Sequence, residues 1–187
     1  EDLQKLLIEM EPIGGIGFFG VGVGADDKNS DKNSLNLGVS GLGLPDKDYY
    51  TPTDERGENV FAEYRKHITA LFVLAGKDQA AAEEIASQVI EIESNLAANS
   101  MGRVQRRDPE LTYNKLSIEE LQNLCPAINW TSFLDAAELK GVEDVVVGQL
   151  DFMKSLNTSL TNFPLENWKN YMKWHLINDM AANLSED

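Results

Sequence analysis

The sequence predicts a mainly α-helical fold: a multi-helix domain of roughly six or seven helices carrying one small Gly-rich β-hairpin near the N-terminus. Two observations predict it. The hydrophobic pattern changes near Tyr50 from a period of two to one of about 3.6 residues. Of the 14 glycines, 9 fall between Gly14 and Gly43, ahead of that change.

In the glycine-rich stretch, Phe18–Asp27 and Ser34–Leu42 alternate apolar and small residues on either side of the polar knot Asp26–Ser34. Alternation flanking a polar turn predicts a hairpin, thin and pliable because so many positions lack a side chain. Thr51-Pro52-Thr53-Asp54 then supplies a helix start. Val60, Phe61, Tyr64, Ile68, Leu71, Phe72 and Ala75 follow at helical spacing, and Gly76 is placed to close the helix in a left-handed conformation. Asp78 opens a second helix with Ile85, Val89, Ile92 and Leu96 on one stripe, so the pair predicts an antiparallel helical hairpin. Ser117-Ile118-Glu119-Glu120 reads as a capping box before a short helix that Pro126 ends. Trp130–Leu139 predicts a helix stopped by Gly141. Val145–Val147 is β-branched and short, which fits a brief strand or a helix lead-in. The last helices are expected at Gln149–Leu160 and at 165–184, the latter burying Trp168, Met172, Leu176 and Met180. The whole of 1–187 is expected to be one domain, with the hairpin segment at 1–50 and helices over 51–187.

Composition narrows the function. With 16 basic against 31 acidic residues the net charge is −15, and the pI is near 4.4. An acidic chain is a poor binder of phosphate backbones or anionic membrane surfaces, so neither nucleic acid nor membrane is expected as a partner. No apolar window is long enough to span a bilayer. A single cysteine, Cys125, excludes an internal disulfide and a Cys-rich zinc knuckle, and its apolar setting beside Pro126 predicts a buried structural thiol. The start EDLQKLLIEM lacks the features of a signal peptide and reads as mid-helix, which fits a piece excised from a longer protein.

Several motifs invite a chemical reading that their context denies. Gly15-Ile16-Gly17-Phe18-Phe19-Gly20 spells the dinucleotide fingerprint, but no helix follows to offer its N-terminus to a pyrophosphate. Asp27-Lys28-Asn29-Ser30-Asp31 begins like a calcium loop, yet Lys32 and Gly38 stand where Gly and a bidentate Glu are required, so a turn with Asx-type side-chain bonds is expected. His67 and His175 are far apart, and neither begins H-E-x-x-H, so no metal ligand and no catalytic residue is assigned in this chain. Arg103, Arg106 and Arg107 form its basic cluster, for which structural pairing with nearby acidic groups is favoured over an anion site.

The blocks DDKNS at 26–30, GLGLPDKDYY at 41–50, RRDPELTYNKLSIEELQ at 106–122, EDVVV at 143–147 and NYMKWHLINDMAANLS at 170–185 resemble the neprilysin and endothelin-converting-enzyme metallopeptidases, with bacterial endopeptidases the most similar. The blocks stand in family order and cover nearly the whole chain. The resemblance implies the N-terminal, mostly helical lid region of a zinc metalloendopeptidase that cleaves oligopeptides. In such enzymes zinc and a Glu activate water in a C-terminal catalytic domain of the same polypeptide, carrying H-E-x-x-H and E-x-x-x-D. That domain is the implied partner and oligopeptides the implied substrates. The family's zinc ligands and substrate-binding residues have no counterparts here, so no cofactor is expected in this fragment and zinc only in the parent, and the fragment by itself is expected to hydrolyse nothing. Pro45, Pro109, Tyr49, Tyr50 and Tyr113 are implied to be architectural. The lone cysteine departs from the cystine-rich animal enzymes and favours a bacterial member, without choosing between cell envelope or periplasm and cytoplasm. The alternative from another class is a free-standing helical peptide-binding or scaffold module with no metal chemistry; continuation of the gene past Asp187 into H-E-x-x-H separates the two.

Overall fold

Phe19–Asp26 (β1) and Asn29–Val39 (β2) pair antiparallel around the two-residue turn Asp27-Lys28, in a computed structural model that describes residues 2–10 and 17–181. The hairpin stands where the alternation places it. Its register shifts between Ala25 and Asp26, next to the turn. Asp26 Oδ1 accepts from the Lys28 backbone N–H at 2.9 Å, the Asx-type bond expected in place of calcium ligation. Gly14, Gly15 and Ile16 lie outside the described residues. Gly17 leads to β1, and a second strand rather than a helix follows the glycines.

The sheet is larger than a hairpin. Asn114–Ser117 (β3) and Asp144–Val147 (β4) extend it to four strands in the order β1-β2-β4-β3. Val145–Val147 is therefore a strand, parallel to β2 and antiparallel to β3. The four residues of β3 are too short to show alternation, and tertiary pairing with the valines fixes them.

The described residues form two compact units, 2–10 and 17–41 with 99–162, and 42–98 with 163–181. The first contains the sheet and the helices Asp2–Met10 (α1), Ile118–Leu124 (α5), Trp130–Ala136 (α6) and Leu150–Asn162 (α7). It also contains the single turn Pro109–Thr112 (α4). Helix α5 packs on β3, β4, α6 and α7, and its core includes Phe18, Leu37, Leu121, Trp130, Val145, Val147 and Leu156. The capping box forms as read: Ser117 Oγ accepts from Glu120 N at 3.2 Å, while Glu120 Oε2 accepts from Ser117 N at 2.8 Å.

The second unit is built from Glu55–Leu74 (α2), Gln79–Ala98 (α3) and Leu165–Met180 (α8), with a 3-10 turn at Lys47–Tyr50. Asp54 caps α2 by accepting from Gly57 N at 2.7 Å, and Asp78 accepts from Ala81 N at 2.9 Å ahead of the second turn of α3. Gly76 takes φ 88°, and Lys77 N donates to Phe72 O at 3.0 Å, closing α2 with a left-handed residue as expected. Tyr64, Ile68 and Phe72 are buried, as are Ile85, Val89, Ile92 and Leu96 across from them. Each such side chain removed from water contributes about 1.5–3 kcal/mol.

Three details depart from expectation. Among the described residues there are eight helices, because α1 and the one-turn α4 add to the periodic ones. Helix α6 stops at Ala136 rather than Leu139: Glu138 takes φ 60°, and Leu139 N reaches Leu134 O at 2.8 Å, so Glu138 and not Gly141 is the left-handed stop. In α8 Met180 is 43% exposed, since the buried face is formed by Trp168, Tyr171, Met172 and Trp174 and the helix outruns its packing. The expected continuation to Leu184 lies outside the described residues.

Candidate functional site

The second unit closes around a buried carboxylate. Glu93 of α3 is wholly inaccessible to solvent. Tyr50 donates its hydroxyl proton to Oε2 at 2.8 Å, and the Tyr64 hydroxyl of α2 reaches Oε2 at 2.7 Å and Oε1 at 2.9 Å. His175 of α8 brings Nε2 to 3.2 Å from Oε1, off the line of an aligned hydrogen bond. A second layer fixes the donors. Leu44 N donates to the Tyr50 hydroxyl at 3.1 Å, Trp174 Nε1 donates to the Tyr64 hydroxyl at 3.1 Å, and the Tyr171 ring stands edge-on to His175 at 4.5 Å. Burial and the adjacent negative charge of Glu93 push the Tyr50 and Tyr64 phenols far above their usual range, so both remain neutral donors. The block GLGLPDKDYY is shaped to this site. A Cβ on Gly43 would overlap the Tyr64 hydroxyl, with Cζ only 2.7 Å away, so only glycine admits that ring.

The first unit holds a second polar cluster. Asp26, 4% exposed, accepts from Lys28 N, from the Tyr113 hydroxyl at 2.8 Å and from Lys115 Nζ at 3.3 Å. Lys115 also pairs with Asp144 at 3.2 Å, and Lys28 Nζ lies 4.6 Å above the Tyr113 ring. The Lys28 N–H, then Tyr113 and Lys115, hold the Asp26 carboxyl below the usual carboxylate range. Hydrogen bonds to Asp144 and Asp26 raise Lys115, and the bond to Asp26 raises Tyr113.

The sequence blocks thus divide between two structures. DDKNS, ELTYNKLS and EDVVV meet at Asp26, whereas GLGLPDKDYY and NYMKWHL meet at Glu93. Buried Tyr50 and half-buried Tyr113 are both hydroxyl donors. Both histidines fall against one indole: His67 lies edge-on to Trp174 at 5.5 Å, with Nε2 3.3 Å from Asn178 Oδ1, and His175 lies 6.3 Å from the same ring. Cys125 is buried, and desolvation pushes its thiol up to about 12, so it is no nucleophile. Asp108 caps α4 through Glu110 N at 3.0 Å beside the arginine cluster, in which Arg103 and Arg106 both have partners. Glu93 escaped sequence reading although its spacing marks it. It falls four residues after Val89 and three before Leu96, on the apolar stripe of α3. An open groove of about 430 Å³ runs along α2 and α3 beside Arg65, Thr69, Gln79, Glu83 and Ser87.

Among the described residues no group of three or more His, Cys, Asp or Glu side chains converges to hold a metal. Zinc requires three or four such ligands at about 2.0–2.3 Å, so these residues do not fit that ion. No helix among the described residues is long and apolar enough to cross a membrane.

Comparison with known proteins decides the kinship. The N-terminal profile of peptidase family M13 matches residues 1–187. The chain belongs to peptidase family M13. Mouse endothelin-converting enzyme 1 is 36% identical over 174 residues, which is 90% of this chain but 22% of the mouse enzyme. The open state of the Mycobacterium tuberculosis zinc metalloprotease Zmp1 superposes with a TM-score of 0.89 at 28% identity, covering 100% of this chain and 29% of that one. PepO from Lactobacillus rhamnosis, at 18% identity and a TM-score of 0.76, shares the fold. The chain therefore spans between a fifth and a third of the length of these three proteins. The kinship with neprilysin-type and endothelin-converting peptidases expected from the sequence blocks holds, and the mainly α fold with it.

Proposed function

We propose that this chain is the N-terminal lid part of a zinc metalloendopeptidase that cleaves oligopeptides. The observation that carries the reading is the match of the M13 N-terminal profile to the whole chain, joined to the superposition on a zinc metalloprotease that is about three times longer. Zinc in this reading belongs to the C-terminal catalytic part of the same polypeptide, since the described residues here offer no cluster of ligands for it. The lid's work is exclusion: it narrows access so that short, flexible peptides reach the catalytic zinc and folded proteins do not. Such a role asks for stiffness rather than reactive groups. Two polar clusters that pin loops to helices and strands, with a phenol network held neutral, supply stiffness.

The test uses the full-length protein. Cleavage rates are measured for one scissile sequence embedded in peptides of increasing length and in a folded carrier. The proposal expects a steep loss of kcat/KM with length and none of the carrier cleaved. It also expects that weakening the second unit by Tyr64→Phe relaxes the length dependence while short-peptide kcat stays the same. Equal rates on short peptides and folded carrier would overturn the lid role. Absence of chelator-sensitive cleavage would overturn the peptidase reading.

A further inference from the structure

We infer that His175 is the countercharge of buried Glu93, and that its protonation state latches the second unit. The reasoning starts from charge. A carboxylate with no exposure is costly unless it is paired, and hydroxyl donors alone leave its full charge uncompensated. The side chains that reach Glu93 are Tyr50 from the 3-10 turn, Tyr64 from α2 and His175 from α8. Tyr171 of α8 faces the same site across His175, and His67 of α2 lies against Trp174. The three tyrosines are held neutral by burial and by Glu93 itself. His67 instead turns its Nε2 to Asn178. His175 is the one group of this set that both reaches Glu93 and can carry a positive charge.

Geometry fixes which nitrogen matters. At 3.2 Å from Oε1, an unprotonated Nε2 would set a lone pair against a carboxylate oxygen, so the proton sits on Nε2. His175 is 12% exposed in its side chain, which lets the rest of the ring exchange protons with water. The imidazolium form therefore neutralises Glu93 from α8 while Tyr50 and Tyr64 hold it from the other elements. Loss of the second ring proton, on Nδ1, removes the positive charge and leaves the carboxylate facing only neutral donors: the Nε2–H and the two tyrosine hydroxyls. The sign follows: a cation stabilised by folding contributes stability at low pH, and the contribution is lost as pH rises through its titration in the folded state. The four tethered elements, including the segment 43–50, are held through this one carboxylate and loosen together.

The chain's two histidines make the test clean. Histidine-selective 15N and 13C NMR of the 187-residue chain, assigned with His67→Gln, reads the ring state of His175 directly. The proposal expects the two-proton imidazolium signature at the acidic end of a stepped pH series in which the chain stays folded. It further expects that thermal stability falls, on raising the pH, over the same interval in which that signature disappears. In His175→Arg the cation persists, so that fall vanishes while the near-UV spectrum is retained. In His175→Gln it vanishes as well, and stability is lower than in the parent wherever the parent shows the imidazolium signature. A His175 ring that is neutral at every pH at which the chain is folded overturns the inference, as does a stability profile that ignores the ring's change of state. Because the NMR readout needs no change at His175, a variant that fails to fold does not shield the proposal.

Discussion

The Tyr64 hydroxyl donates toward both carboxylate oxygens of Glu93, at 2.7 and 2.9 Å, and in turn accepts the Trp174 indole N–H at 3.1 Å. One oxygen atom thereby joins α2, α3 and α8. Removing it by Tyr64→Phe keeps the ring but leaves an indole donor and part of a carboxylate unsatisfied. Hydrogen bonds to charged groups are worth about 1.5–3 kcal/mol, so a loss of that size is expected. In a chain of this length each kcal/mol lowers the melting temperature by about 2–4 °C. Urea denaturation followed by tryptophan fluorescence measures it; Trp168 and Trp174 both lie in this unit.

Gly43 is constrained by the same ring, and Gly22 by nothing. A methyl group at Gly43 would overlap the Tyr64 hydroxyl, whereas one at Gly22 on β1 has no neighbour within 4 Å. Gly43→Ala is expected to cost about 1–3 kcal/mol by displacing a well-packed side chain. Gly22→Ala is expected to be neutral or to stabilise by up to about 1 kcal/mol by restricting the unfolded chain. Parallel thermal melts compare the two, and equal effects would show that the close approach at Gly43 carries no energetic weight.

Glu138 occupies the left-handed position that ends α6, at φ 60°. A side chain there costs about 1–2 kcal/mol relative to glycine. Glu138→Gly is expected to recover about 1 kcal/mol, and Gly141→Ala to lose stability, because Gly141 also takes a positive φ of 79°. Denaturant midpoints at unchanged slope are the measurement. If Glu138→Gly destabilises, a side-chain role for Glu138 outweighs its backbone strain.

How far these features could be read from the sequence depends on how local their causes are. The hairpin, the Ser117–Glu120 capping box and the Gly76 stop are set by neighbours within a few residues, and they form where the residues place them. Strand β3 is not local: Asn114–Ser117 becomes extended only because Val145–Val147 pairs with it. Glu93 is intermediate. Its place on the apolar stripe of α3 is visible, but its partners lie 43, 29 and 82 residues away in sequence and cannot be inferred from spacing. The stop at Glu138 defeats reading for another reason, since glycine is the stronger signal and one lay three residues on. Family resemblance marked the blocks that matter without saying that they assemble into two separate clusters.

The cluster at Asp26 gives the first unit an acid-sensitive tie. Its carboxyl is held below the usual carboxylate range chiefly by the Lys28 N–H, then by Tyr113 and Lys115. The unfolded chain binds that proton more readily than the folded one. The contribution is therefore complete above the ordinary aspartate value of about 3.9 and is lost as pH falls through the lower folded value. Asp26→Asn removes the charge but keeps the shape. It is expected to lower stability at pH 7 and to flatten the fall in stability between about pH 4 and pH 2. The same substitution frees Lys115 to pair with Asp144 alone, at 3.2 Å, so Asp144→Asn should cost more in the Asp26→Asn background than in the parent. Denaturant unfolding at stepped pH, followed by near-UV circular dichroism, reads both effects. An Asp26→Asn variant with the parent's acid profile would show that the Asp26 charge does not tie the turn to β3.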